Sequence, residues 1–218
     1  MTGRRSKDPL TASATSLLLP ALRPLGFKKK SARVIGRIRN EIFQLLDLQV
    51  SSFGSGDFCV NYASVALFCP REFLVLQPGS RLRNASGVEV WWPARSHDMA
   101  NASMQEVVQA LQGQAIPFFE ATGTVAGLLD LLLSENWASR HHLEFELGCC
   151  LVRLGRIEEA ERHLTQGISL YQSDGRKWCQ DGIARSEELL GAIRRGVASE
   201  LLQEWTRQSV RKLRLEEL

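Results

Sequence analysis

The densest block of chemistry in this 218-residue chain is basic. Lys28, Lys29 and Lys30 run consecutively, and Arg33, Arg37 and Arg39 follow closely. Such a set can neutralise several phosphates, with Arg4, Arg5 and Lys7 as a further arm. A blander reading competes with this one. Lysines at a junction between a helix and a strand are routinely solvated. Three arginines spaced two or four apart share one face of a hairpin, and the solvent side of an edge strand carries such charge to discourage pairing with other chains. Apart from Phe27 and Phe43, which suit a core, no aromatic residue stands nearby to stack on bases. The solvated edge is the favoured reading, and nucleic-acid or polyanion binding is the alternative.

Other candidates are weaker or more dispersed. "FGSGD" (53–57) has the glycines of a phosphate loop but joins two strand-like segments, so it reads as a hairpin turn. In "HHLEFELGCC", His142, Glu146, Cys149 and Cys150 are all zinc-ligand types at helical spacing. No Cys-x-x-Cys partner segment exists, and both thiols suit the small buried positions of a helical hairpin, so no metal is expected. A cysteine nucleophile needs a held histidine and an acid; His97 and His163 are available, yet nothing local arranges them. No catalytic residue and no cofactor is therefore assigned. Asp47, Gln49 and Asn61 fall on one face of adjacent strands, the best place for a small-molecule or peptide site, although a solvent-facing sheet surface is the favoured reading there. Trp91 and Trp92 point to opposite sides of an extended segment, one into the core and one outward as a contact residue.

The elements that must position these groups follow from periodicity. Asp8 and Pro9 open a helix whose stripe is Leu10, Ala14, Leu17, Leu18, Ala21, Leu22 and Leu25. Pro20 lies off that stripe and should bend it. "RVIGRI" (33–38), "IFQLLDLQV" (42–50) and "FCVNYASVALF" (58–68) read as an antiparallel meander, with "FLVLQ" (73–77) and "VEVWW" (88–92) as further strand candidates flanking the turn-prone "PGSRLRNASG" (78–87). From about Ser103 the period becomes helical: "MQEVVQALQGQ", then "TVAGLLDLLLSENWA", then "HHLEFELGCCLVRLGRIEEAERHLTQGISLYQ". A last stripe, Leu190, Ile193, Val197, Leu201 and Trp205, must bury against something. The expected fold is α+β: an antiparallel sheet packed by an N-terminal helix and further helices, over residues 1–122. An all-helical region, 123–218, follows, with its junction near Gly123.

Two resemblances overlay this reading. "LRPLGFKKKSARVIGRI", "LLDLQVSSFGSGDFCVNYASVAL", "RLRNASGVEVWWPA" and "VVQALQGQAIPFFE", in that order, resemble a bacterial family catalogued as domain-of-unknown-function family 4304. Val50 stands where members usually have lysine or a similar residue between the Gln and the Ser. The resemblance covers about residues 15–120 and implies a compact α+β domain and no reaction. In the second half, Leu147, Gly148, Leu151, Gly155, Ala160, Leu164 and Gly167 are spaced similarly to one tetratricopeptide repeat, over about 141–172. Glu144 replaces that repeat's early aromatic residue, and one repeat cannot form a solenoid. A helical hairpin packed on its neighbours is expected.

Whole-chain totals exclude little. The net charge of +3 hides an asymmetry: residues 1–40 carry ten basic side chains against the single acid Asp8. Five scattered cysteines fit reduced thiols in the cytoplasm. No run approaches a membrane span, and "LTASATSLLLPAL" imitates a secretory signal only superficially. The functional expectation is a non-catalytic cytoplasmic protein that binds another macromolecule, a protein above all, through the sheet face, the Trp91–Trp92 region or the helical hairpin; an uncharacterised small-molecule enzyme is the least favoured alternative.

Overall fold

The computed structural model describes residues 8–70, 73–134 and 140–218. The proposed basic arm at Arg4, Arg5 and Lys7, and the last residues of "TVAGLLDLLLSENWA", lie outside them.

The first helical run joins α1 (Pro9–Ser13), a π turn (Ala14–Leu18), α2 (Leu19–Leu22) and a 3-10 turn (Arg23–Leu25). Asp8 caps it, accepting from the Thr11 backbone N–H. The π turn follows from Pro20, which has no N–H to donate and whose ring crowds the carbonyl four residues earlier. The Leu19 N–H accordingly reaches back five residues to the Ala14 carbonyl.

Among the described residues, six strands form one antiparallel sheet: β1 (Lys28–Lys29), β2 (Val34–Arg39), β3 (Ile42–Val50), β4 (Asp57–Ala66), β5 (Gly79–Arg81) and β6 (Trp92–Pro93). Their order is β1-β2-β3-β4-β5, with β6 also on β4. Asn40 and Glu41, both at positive φ, make the tight β2–β3 turn. The fold is thus α+β. Two strand expectations need correction. "FLVLQ" is not a strand; the pairing chain is Gly79–Arg81, within the segment read as a turn. "VEVWW" contributes only Trp92 to β6 and an isolated bridge from Glu89 to Arg83. Hydrophobicity overstated both strands: Phe73–Gln77 packs side chains without a ladder partner among the described residues, and the second segment pairs only at Glu89 and Trp92.

Leu46, Leu48, Phe58, Val60 and Tyr62 face the N-terminal helix, α3 (His97–Gly113) and α4 (Ala115–Ala121), forming the main core. The helix expected from Ser103 begins six residues earlier, where Ser96 caps it. The opposite face is not simply solvated, as expected. Phe43, Leu45, Ala63 and Val65 are covered by Leu213 and Leu215 of the C-terminal segment and by Leu74, Val75 and Leu76. Only the end of that face holding Asp47 and Gln49 stays open.

The helical region contains α5 (Val125–Ser134), α6 (Arg140–Arg153), α7 (Ile157–Asp174), α8 (Cys179–Arg194) and α9 (Ala198–Lys212). α6 and α7 form the expected hairpin, turning at Gly155 with φ 72°. Its core includes Ile42, Ala66 and Phe68 of the sheet side. Arg153 donates to the Glu41 carboxylate at 2.7 Å, fixing the β2–β3 turn against α6. In the last stripe Leu190 and Trp205 are buried, whereas Val197 is 40% exposed because it caps α9 rather than belonging to its packed face.

Candidate functional site

The basic run is largely consumed by the fold. Arg37 and Arg39 share a face, but that face meets α4, where Glu120 binds both at 2.9 and 2.7 Å. Arg37 also donates to Gln44 and the Leu25 carbonyl, lies over Phe27, and has a side chain only 11% exposed. The two guanidinium groups hold the Glu120 carboxyl below its ordinary range. Lys28 caps the Glu217 carbonyl. Lys29, Lys30 and Arg33 are left at or near the edge strand; Lys29 and Arg33 are exposed there and Lys30 is half-buried.

On the open end of the sheet, Asp47, Gln49 and Asn61 do come together. Asn61 Nδ2 donates to Gln49 Oε1 at 3.0 Å and lies 3.5 Å from Asp47 Oδ2. Arg81 Nε donates to Asn61 Oδ1 at 3.4 Å, and its guanidinium lies 5.4 Å from the Trp91 ring centre. Trp91 is 41% exposed, while Trp92 is 2% exposed and donates its indole N–H to Glu106. Arg81 and Cys59 belong to this cluster but were missed. Cys59 was findable from alternation with Asn61, whereas Arg81 sat in the strand read as a turn. The cluster is a shallow polar surface whose members satisfy one another.

Burial raises the Asp47 carboxyl above its usual value, against smaller opposing effects of the Asn61 bond and the Arg33 charge. A group raised on folding stabilises most when protonated, and that contribution disappears as pH rises through its folded value. Asp47→Asn is expected to raise the thermal midpoint at pH 7, with an advantage over wild type that shrinks as pH falls into the carboxylate range. A difference independent of pH would show that the carboxylate is not strained there.

A second cluster lies elsewhere, in a cleft. The cleft, of about 350 Å³, opens between the β4–β5 connection and helices α5–α8. Phe73, Val75 and Gln77 form one wall, and Leu132, Leu143 and Phe145 form the apolar floor. His142, Glu146, Tyr171, Trp178, Asp181 and Arg185 supply its polar and aromatic groups. His142 Nδ1 and the Tyr171 hydroxyl share a hydrogen bond of 2.8 Å. The His142 ring stacks on Trp178 with centres 5.2 Å apart, and Arg176 lies 4.8 Å from the Trp178 ring centre. Gly182 is required because any Cβ there would enter the Tyr171 ring.

The "HHLEFELGCC" cluster is thereby divided. His142 and Glu146 line the cleft, whereas Cys149 and Cys150 are buried in the helical core, where desolvation drives the Cys149 thiol far up. His163, once weighed beside a cysteine, instead bonds the buried Glu144 at 2.7 Å across the hairpin. Among the described residues, no His, Cys, Asp or Glu group is arranged to hold a metal ion, and no single helix is long and apolar enough to cross a membrane. The sequence groups His142 with Glu146 but does not join them to Tyr171 or Trp178. What it lacked was the return of residues 73–78 onto the helices.

Compared with known proteins, residues 18–121 match the family model described as Domain of unknown function (DUF4304). No curated protein and no solved structure matches the chain.

Proposed function

We propose that this chain, whose residues 18–121 match the DUF4304 family model, a description that assigns no activity, is a non-catalytic cytoplasmic protein that binds a segment of another protein in the cleft between Phe73–Gln77 and helices α6–α8. The cleft carries this reading: it is the place where apolar floor, stacked aromatic rings and rim charges converge, which is the composition of a recognition site. Trp178, partly exposed and held by His142 and Arg176, is the kind of rigid aromatic group that anchors contacts. Burial of all five free cysteines fits a reducing compartment.

The test replaces Phe73, which is 72% exposed at the cleft rim, or Trp91 on the sheet, with the photo-crosslinker benzoylphenylalanine. Ultraviolet irradiation in lysate of the host is expected to yield a discrete protein adduct from position 73, reduced at least about fivefold by Asp181→Lys at the opposite rim. Adducts from position 91 alone would move the site to the sheet face. Nucleic acid as the only adduct would overturn the protein-binding reading.

A further inference from the structure

The wall of the cleft has an unusual backbone. Phe73–Gln77 belongs to no helix or strand and bends at Phe73; Phe73, Val75 and Gln77 line the cleft, while Leu74, Val75 and Leu76 pack against the outer-sheet cluster. The N–H and C=O groups of Phe73–Gln77 make no backbone hydrogen bond with any described residue. An accessible segment whose backbone groups have no ladder partner is a template for strand pairing. Here that bare segment borders an apolar cavity whose volume suits one or two large side chains rather than a folded surface. At the opposite rim, exposed Asp181 takes part in none of the ion pairs among the described residues.

We propose that the cleft receives an extended peptide segment, which pairs its backbone with Phe73–Gln77, seats an apolar side chain on Leu132, Leu143 and Phe145, and places a basic side chain at Asp181. This rests on the binding role proposed above and specifies the mode. Main-chain bonds supply affinity in such an arrangement, and the alternate side chain entering the pocket supplies selectivity. The carboxylate adds charge complementarity, which sets orientation and approach more than affinity.

The experiment selects phage-displayed random 12-residue peptides on the full chain, with counter-selection on Phe73→Asp/Asp181→Lys. Both positions are exposed, so the variant is expected to fold, and circular dichroism checks this. Selected peptides, made synthetically, are expected to share a bulky apolar residue near a lysine or arginine. Their binding should slow amide exchange at Phe73–Gln77 at least about tenfold, and N-methylation of alternate peptide amides should weaken binding by a similar factor. Peptides that bind without protecting those amides, or that tolerate N-methylation, would overturn the pairing. So would self-association of the chain abolished by Asp181→Lys, which would give the cleft to a second copy. If position 73 captures a defined protein yet peptides show none of these effects, the binding role stands and the extended mode falls. If neither experiment finds an occupant, both fall.

Discussion

Replacing Phe119 with alanine is expected to destabilise the protein by about 3–5 kcal/mol, enough to threaten folding of a domain whose total stability is typically about 5–15 kcal/mol. Phe119 is fully buried on α4, with ring centres 5.3 Å from Phe27 and 6.2 Å from Tyr62. It joins the N-terminal helical run, the sheet and α4 in one aromatic cluster. Its backbone carbonyl also accepts from buried Gln44, so displacement of α4 would strand a polar side chain in the core. Neighbouring Phe118 is only half-buried and contacts Tyr62 from the rim. Phe118→Ala should therefore cost clearly less, and Phe119→Leu should recover much of the loss. Urea denaturation of the three variants gives the ranking. Equal midpoints for the two alanine variants would mean that α4 is not seated by Phe119.

The second large effect is expected where α6 crosses α7. A Cβ on Gly148 would fall 2.7 Å from the Leu164 side chain, which is itself fully buried. Valine at 148 should destabilise by about 1–3 kcal/mol through overpacking, exceeding what removal of a helical glycine returns. Leu164→Ala alone should cost about 2–5 kcal/mol by leaving a cavity. In the double variant the added valine fills part of that cavity. The combined loss should then be smaller than the sum by at least about 1 kcal/mol, since contacting residues do not add. Strict additivity would show that the helices do not approach at this point. Because α6 and α7 also hold His142 and Tyr171 together, Gly148→Val should weaken any occupant of the cleft as well.

The sheet was legible because its physics is local. Ile42, Leu46 and Leu48 alternate with the residues of the opposite face, so burial of one side was readable before any partner was known. The two tryptophans divided as expected for the same reason, and the π turn before Pro20 follows from one missing donor. The hairpin of α6 and α7 was readable from small residues, and Gly148 shows why they are needed. The candidate site was much less legible. Asp47, Gln49 and Asn61 were grouped correctly, but Arg81 was hidden in a segment with no strand periodicity. The arginines at 37 and 39 looked solvated because Glu120, 83 and 81 residues further along the chain, carries no local mark of the pairing.

By itself, then, the sequence determined the long strands and helices and which of their faces are apolar. Those properties depend on neighbours within a few residues. Only the tertiary structure decided where the β4–β5 connection lies. By returning Phe73–Gln77 to the helices it closed a cleft around His142, Tyr171 and Trp178, and beside that cleft it left backbone groups with no bond to another described residue's backbone. No local pattern encodes this, because the free energy that places the connection comes from Leu74, Val75 and Leu76 packing with Leu213 and Leu215, side chains more than a hundred residues distant.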